Sequence, residues 1–266
     1  MELFHALVLG IVQGLTEFFP VSSSGHLVLI PVLFGWDDQG LAFDTIVHGG
    51  TLVAVVGAFW GDLRRGVRKA IQKRDAASRQ FFLRILVAAI PGLAVGALFG
   101  DLFESVFRGP LPVAISLAVW GIVLWAVDHW RASRPAPVRN PQQVTWAQAL
   151  IVGCMQAIAL IPGTSRSGIT MTGGLLSGMD RKTAVDVSFL VSIPTIAAAF
   201  AYGLLQLVQS GSAMDHAGML ITGFVAAAFT GSLAIRLLRT YVANHSLAVF
   251  AWYRLALAAL IILLTV

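Results

Sequence analysis

The sequence predicts an all-α polytopic membrane protein with six transmembrane helices and two re-entrant helical hairpins, arranged as an inverted-topology repeat. Three observations lead to this prediction. The 266 residues are 57% apolar and only 12% charged, with a mean hydropathy of +0.81, which is typical of a chain that lies in a bilayer. Six apolar stretches are long enough to span, and serine- and glycine-rich loops interrupt two others. We expect residues 1–266 to form one membrane domain.

The six predicted spans each approach the roughly 20 apolar residues that a transmembrane helix needs. Regions 3–34 and 144–179 are also apolar, but a Pro-Ser-Gly cluster breaks each one midway, and the pieces after the break are too short to span. Irregular backbone at membrane depth must be buried in protein or line a wet cavity. Each region is therefore expected to enter and leave on one side. The predicted spans are about 42–61, 82–100, 111–127, 184–208, 217–235 and 246–266.

Basic residues indicate the orientation of these spans. Between the first and second spans lie eight of the 18 Lys and Arg residues, which marks that side as cytoplasmic by the positive-inside rule. Counting crossings from there places both termini outside, and the first hairpin then enters from outside. An outward-opening site is expected. The eight residues are Arg64, Arg65, Arg68, Lys69, Lys73, Arg74, Arg79 and Arg84, and the exceptions to the pattern are Arg108, Arg166 and Arg254.

An internal repeat relates the two broken regions. A shift of 143 positions places Gly10, Gln13, Ser22, Ser24 and Gly25 over Gly153, Gln156, Ser165, Ser167 and Gly168. The repeats extend over about 1–130 and 144–266. Each contains one hairpin and three crossings, an odd number, so the second should be inverted relative to the first. Inverted repeats with broken helices are typical of transporters, so a transporter or flippase of a lipid carrier is the alternative function.

The first broken region contains groups that can catalyse a reaction. Gln13 and Glu17 are four residues apart and share one helix face. A carboxylate in an apolar segment costs about 2.5–3.5 kcal/mol on insertion scales, so it has a function or a partner. After Pro20, the serines Ser22, Ser23 and Ser24 lead into His26, which supplies candidate nucleophiles and a base.

The second broken region contains an arginine among small residues. Arg166 is the only charged residue in the stretch from Val144 to Met179, and it requires an anion. Its guanidinium, backbone N–H groups and nearby hydroxyls are suited to bind a phosphate. The residues that would join it are Gly163, Ser165, Ser167 and Thr170. An internal salt bridge to Glu17 is the structural alternative, and the two interpretations are not exclusive.

Other polar residues are weaker candidates. Asp44, His48 and Asp186 lie in or beside spans and are candidates for a supporting role at the site. The net charge of +5 does not indicate a nucleic-acid partner, because topology accounts for the basic loops and no RNA- or DNA-binding motif is present. Cys154 is the single cysteine, which excludes an intramolecular disulfide and a multi-thiolate metal site.

Together these stretches resemble the undecaprenyl pyrophosphate phosphatase family of the bacitracin-resistance type. That family has a (Glu/Gln)-x-x-x-Glu segment running into a Pro-x-Ser-Ser-x-Gly-His loop, and a Pro-Gly-x-Ser-Arg-Ser-x-x-Thr loop. Here these signatures stand at 13–17, 20–26 and 162–170, and the likeness covers essentially the whole chain. Gln13 stands where many members have a second Glu, so this segment contains one carboxylate, that of Glu17.

The resemblance implies removal of the terminal phosphate from a C55 polyprenyl pyrophosphate, undecaprenyl pyrophosphate. The product is the monophosphate carrier lipid for peptidoglycan and other envelope polymers, and the activity confers bacitracin resistance. The resemblance further implies a divalent cation, Mg²⁺ or Ca²⁺, and a bacterial inner (plasma) membrane location among membrane lipids. A homodimer is one assembly that the sequence allows.

Family positions implied to be catalytic map onto Glu17, Ser23, His26 and Arg166. Ser23 would attack the outer phosphorus with His26 or Glu17 as its base, and His26 is the alternative nucleophile. Arg166 would hold the pyrophosphate, and Glu17 with Gln13 would hold the metal through oxygen ligands. The expected substrate-binding residues are Ser22, Ser24, Gly163, Ser165, Ser167 and Thr170.

Overall fold

The computed structural model describes residues 2–37, 39–72, 75–107, 109–210 and 217–265. Lys73, Arg74 and Arg108, which entered the orientation argument, lie outside these residues. The described residues form ten α-helices and one short 3-10 turn, and none of them forms a strand. The helices are α1 (Glu2–Phe18), α2 (Ser23–Phe34), α3 (Gly40–Gln72), α4 (Ala76–Phe107), α5 (Pro110–Ala132), α6 (Trp146–Ile158), α7 (Arg166–Leu176), α8 (Arg181–Ser210), α9 (Ala217–Tyr241) and α10 (Ala248–Thr265).

Six of these helices are long and apolar enough to cross a membrane: α3, α4, α5, α8, α9 and α10. The prediction of a polytopic all-α membrane protein with six spans is therefore confirmed within the described part of the chain. Several helices extend beyond the ends of the predicted spans. Helix α3 continues to Gln72 rather than ending near 61, because the Arg and Lys residues that end the apolar run are themselves good helix formers.

Two pairs of short helices occupy the broken regions: α1 with α2, and α6 with α7. Each pair is joined by a turn that ends on a serine with positive φ, Ser22 at 74° and Ser165 at 70°. Such a conformation is rare for a residue other than glycine and costs about 1–3 kcal/mol. Both serines offset part of that cost by capping the next helix, since their hydroxyls accept from the backbone N–H groups of Gly25 and Gly168.

The two pairs begin and end at opposite ends of the helix bundle. We call the end marked by Arg65, Lys69, Arg181 and Arg239 the basic end, and the end marked by Trp36 the far end. In the first pair the rings of His5 and Trp36 stack with centroids 4.0 Å apart, so both outer ends of the pair meet at the far end.

The second pair closes at the basic end. Gln148 Nε2 donates to the Ser177 carbonyl at 2.8 Å, and the Val144 carbonyl just before α6 accepts from Arg84 at 2.9 Å. The turns of the two pairs meet inside the bundle, where Ser167 Oγ donates to the Phe19 carbonyl at 3.0 Å.

Glycine allows close packing between the two halves. Helix α1 packs on α9, and α6 packs on α4. A Cβ at Gly10 would lie 2.6 Å from the Gly223 carbonyl oxygen, and one at the equivalent Gly153 would lie 2.5 Å from the Ala88 carbonyl oxygen. Small residues that let backbones approach this closely are the usual basis of helix association in lipid.

Substitution of Gly14 should therefore disrupt the contact between α1 and α9. A Cβ there would collide with the Thr230 hydroxyl and lie 2.6 Å from the Ala227 carbonyl oxygen. We expect Gly14→Leu to destabilise the protein by about 2–3 kcal/mol or more, measured as a lower melting temperature in detergent. Gly57→Leu is the matched control, since nothing lies within 4 Å of a Cβ at exposed Gly57. Equal melting temperatures for the two variants would contradict this account of the packing.

Candidate functional site

Glu17 lies at the centre of the candidate site, in the last turn of α1. Its carboxylate is buried and accepts three hydrogen bonds. Gln13 Nε2 donates to Oε2 at 3.0 Å, Ser23 Oγ donates to Oε2 at 2.7 Å, and Arg166 Nη2 donates to Oε1 at 2.5 Å. The carboxylate thus joins both loops, and the predicted association of Glu17 with Ser23 and Arg166 is present in the structure.

Arg166 is the first residue of α7. Its ion pair with Glu17 is partly shielded, with side chains 14% and 6% exposed respectively. Arg166 Nη1 is buried and has no hydrogen-bond partner in the described part of the chain. A buried guanidinium nitrogen without an acceptor is costly. It therefore marks a place where an anion can supply the missing oxygen, at a helix N-terminus that favours negative charge.

The three serines of the first loop have different surroundings. Ser22 is buried as the cap of α2, Ser23 is half-buried and donates to Glu17, and Ser24 is exposed. Ser23 is thus the hydroxyl whose proton already points at a carboxylate. Such a pair has the geometry of a nucleophile with its base, 2.6–3.2 Å apart.

The small residues of the second loop are mostly engaged with the protein. Ser165 caps α7, Ser167 donates to the Phe19 carbonyl, and Gly163 adopts a φ of 87°. Thr170 is fully buried and donates to the Arg166 carbonyl at 2.7 Å, besides contacting the Ser188 hydroxyl at 2.7 Å. The structure thus does not expose Thr170 for direct contact with a substrate, and its hydroxyl supports the turn that carries Arg166.

His26 forms no hydrogen bond with Ser23. Its Nδ1 lies 2.7 Å from the Ser22 carbonyl oxygen, and its Nε2 lies 2.7 Å from the Tyr253 hydroxyl. A carbonyl only accepts, so Nδ1 carries the proton. In the neutral ring Nε2 is then the acceptor, and the Tyr253 hydroxyl donates to it. Of the two predicted bases, Glu17 is the one that Ser23 contacts.

Three residues that sequence reasoning did not select as site residues support the site. His48, which was only a supporting candidate, has Nε2 3.7 Å from Glu17 Oε2. Tyr253 holds His26. Arg254 is completely buried and donates to the carbonyls of Gly163 and Thr164 at 3.1 and 2.8 Å.

The sequence contained a signal for two of these three, because His48 was already a supporting candidate. A charge in the last span demands a partner, so Arg254 could have been expected to contact polar backbone such as the Pro-Gly loop. Tyr253 had no comparable signal, because an aromatic residue in a span needs no special explanation. Asp186, the other candidate from the sequence, pairs with Arg239 at 2.8 Å near the basic end and does not contact the residues around Glu17.

A cavity of about 440 Å³ adjoins the site towards the far end. Ser24, His48 and Pro162 form the part of its wall nearest the site, and the remaining wall is mainly apolar side chains and glycine. Its size lies within the range of ligand pockets, which is about 300–1,000 Å³. Asp44 also lines it, and the Asp44 carbonyl oxygen lies 2.6 Å from His48 Nδ1.

These features define a class: a multi-pass membrane protein whose buried carboxylate, hydroxyl and guanidinium are arranged for chemistry on an anion. The family described as bacitracin resistance protein BacA matches residues 6–260. The undecaprenyl-diphosphatase of Moorella thermoacetica is 43% identical over 98% of this chain and 97% of its own length. That of Pelotomaculum thermopropionicum is 41% identical over 99% and 97%, and that of Gemmatimonas aurantiaca is 43% identical over 98% and 97%. The chain belongs to the BacA family, which confirms the resemblance seen in its two loops.

Proposed function

We propose that this protein is an undecaprenyl-diphosphatase, which hydrolyses undecaprenyl pyrophosphate to the monophosphate and inorganic phosphate. The observation that carries the proposal is the contact of Glu17 with both Ser23 and Arg166. One carboxylate is placed to accept a proton from a hydroxyl, and the adjacent guanidinium has a donor without a partner. Relatives at 41–43% identity over nearly the full length carry this activity in their names.

The chain's own residues account for a phosphoryl transfer in two steps. Glu17 takes the Ser23 proton while Ser23 Oγ attacks the terminal phosphorus, and the bond from that phosphorus to the bridging oxygen breaks. The prenyl monophosphate leaves and Ser23 carries the phosphoryl group. The proton on Glu17 passes to the departing monophosphate, which leaves the carboxylate free to take a proton from an attacking water. That proton goes to Ser23 Oγ as its bond to phosphorus breaks, so inorganic phosphate is released and Ser23 is restored. Arg166 Nη1 would donate to the oxygens on which charge develops, the arrangement that contributes most in such reactions.

The pyrophosphate would lie where the two loops meet. Ser24 is exposed to the cavity beside Ser23, so it is the hydroxyl best placed for a direct contact. The polar groups of the other predicted substrate-binding residues are buried against the protein, so these residues would act mainly through the conformations of the loops. They are Ser22, Gly163, Ser165, Ser167 and Thr170. In the neutral form described above, His26 holds the start of α2 rather than serving as the base for Ser23.

A divalent cation, Mg²⁺ or Ca²⁺, is suited to the side-chain oxygens of Glu17 and Gln13. The described residues hold no group of three or more His, Cys, Asp or Glu side chains suited to a metal ion. However, Gln13 Oε1 is buried beside Glu17 without a partner. Mg²⁺ is commonly held by one or two protein groups together with substrate phosphates. Glu17 and Gln13 would supply the protein's oxygens, and the ion would neutralise charge on the pyrophosphate.

The two helix pairs support an inverted-topology repeat with two re-entrant hairpins. Two contacts favour closure of the pairs at opposite ends of the bundle: His5 stacks on Trp36 in the first pair, and Gln148 bonds to the Ser177 carbonyl in the second. The five-helix order from α1 to α5 recurs from α6 to α10. With the basic end in the cytoplasm, both termini and the cavity beside Ser24 would face outward from the bacterial inner membrane.

The central test is phosphate release from undecaprenyl diphosphate by the purified protein in detergent. We expect turnover by the wild type, its loss on chelation of divalent cations, and a decrease of at least about a hundredfold in Arg166→Ala. Arg139→Ala changes an exposed loop arginine and should leave turnover unchanged. A folded wild type that releases no phosphate would contradict the proposal and favour a transporter or flippase. A liposome assay of lipid movement would then be the next measurement.

The nucleophile is tested by trapping the phosphorylated protein. Ser23→Ala should abolish both turnover and trapped phosphate, because no other hydroxyl donates to Glu17 in the described structure. A substrate labelled in its terminal phosphate should leave the label on Ser23. Label on His26, or full turnover in Ser23→Ala, would contradict the serine mechanism.

The orientation is tested by cysteine labelling in intact cells, in a Cys154→Ser background. Asp37 is exposed at the turn after α2 at the far end, and Arg139 is exposed in the loop at the basic end. An impermeant maleimide should label the cysteine introduced by Asp37→Cys and leave that of Arg139→Cys unlabelled. The reverse pattern would show the opposite orientation.

A further inference from the structure

The structure contains a second cavity in a place equivalent to the one beside the site. This cavity has a volume of about 220 Å³ and lies near the basic end, whereas the cavity beside Ser24 measures about 440 Å³. The shift of 143 positions that aligns the two loops also aligns parts of the two walls. The paired lining residues are Phe59 with Tyr202, Leu63 with Gln206, and Arg239 with Gly96.

The two cavities have different side chains at the equivalent positions of their walls. At the basic end, Arg239 pairs with Asp186 at 2.8 Å, and its guanidinium lies 4.9 Å from the centre of the Phe59 ring. Both members of this ion pair line the cavity. At the far end, the position equivalent to Arg239 is Gly96, and Gly100 lines the cavity one turn further along α4.

Glycine keeps the far-end cavity open. A Cβ at Gly100 would meet nothing within 4 Å, and one at Gly96 would meet only Leu160, at 3.5 Å. Both positions could hold larger side chains without a backbone clash. Glycine inside a helix costs about 0.5–1 kcal/mol relative to alanine, so two glycines at this wall lower the intrinsic stability of α4 while leaving space beside Leu27 and Leu160.

We infer that the far-end cavity holds the first isoprene units of the substrate's polyprenyl chain, with Gly96 and Gly100 as the residues that make room for it. This inference rests on the proposed function. Ser24 and His48 connect the cavity to Glu17, so a chain attached to a pyrophosphate at the loops enters it directly. Most of its wall is apolar side chain or glycine, and Asp44 is the one carboxylate that lines it. The equivalent cavity is lined by five charged residues, which a hydrocarbon would have to desolvate: Asp62, Arg65, Lys69, Asp186 and Arg239.

A third cavity is the main rival for this role. It measures about 430 Å³, is strongly apolar, and is lined by Phe19, Thr240, Tyr241 and Phe250 among others. Neither Ser24 nor His48 lines it, whereas both line the far-end cavity. A chain lying there would have to pass Phe19 to reach the phosphate site.

The test measures kcat and KM on undecaprenyl diphosphate for variants that fill one cavity at a time. Gly100→Leu and Gly96→Leu should raise KM at least about tenfold, since a filled hydrophobic pocket forfeits binding of this order. kcat should stay within a few-fold, because the catalytic groups are untouched. Gly57→Leu makes the same change on an exposed face of α3 and should alter neither constant. Thr240→Leu fills the rival cavity and should have no effect on KM.

A second measurement keeps the inference testable if a leucine variant is unstable. In a Cys154→Ser background, the cysteine introduced by Gly100→Cys should react with a small maleimide, and undecaprenyl phosphate should slow that reaction severalfold while inorganic phosphate should not. No protection, or a KM effect confined to Thr240→Leu, would overturn the inference. A wild type without phosphate release would instead refute the proposed function, and protection by the lipid would still report on the cavity.

Discussion

The ion pair between Glu17 and Arg166 is the interaction on which the site depends. It joins the last turn of α1 to the first residue of α7, and so connects the two broken regions of the sequence. Two charges at membrane depth are stable only when each satisfies the other, and removing one partner of a buried pair costs about 3–5 kcal/mol. The phosphoryl transfer proposed above uses the same two groups, Glu17 as the base and Arg166 as the group that holds the pyrophosphate. The stability of the site and the proposed reaction therefore both depend on these two residues.

The two loops share a backbone conformation but differ in their side chains. Ser22 and Ser165 adopt nearly the same unusual φ and cap the following helix in the same way. After each cap the chain presents a different group, Ser23 in the first loop and Arg166 in the second. The first loop thus supplies a hydroxyl next to a carboxylate, and the second supplies a cation. A symmetric pair of turns produces an asymmetric site.

Much of the fold could be predicted because membranes impose simple rules. The six spans follow from length and hydropathy, and the two broken regions from Pro, Ser and Gly where a span should continue. Helix ends such as Gln72 could not be placed, since hydropathy reports where lipid ends and not where hydrogen bonding ends. Glu17, Ser23 and Arg166 were found because charge and hydroxyl clusters are conspicuous in apolar sequence.

The partners of His26 and Thr170 could not be predicted in the same way, because they depend on contacts between helices distant in sequence. Tyr253 lies 227 residues from His26, and no local pattern connects them. The motif predicts that Thr170 binds the substrate, but its hydroxyl is hydrogen-bonded to the hydroxyl of Ser188 on α8. Motifs identified which residues gather at the site. The packing of α8 and α10 determined which of them face the cavity.

Arg254 gives the last helix a role in the timing of assembly. Its guanidinium bonds the carbonyls of Gly163 and Thr164, so the loop that presents Arg166 lacks these donors until α10 has entered the bundle. Chains are made from the N-terminus onward, and α10 follows the other nine described helices in the sequence. Both loops are thus synthesised well before the group that fixes the second one. The loop that carries Arg166 gains these contacts only after α10 has been made, so a chain that stops before α10 would lack them.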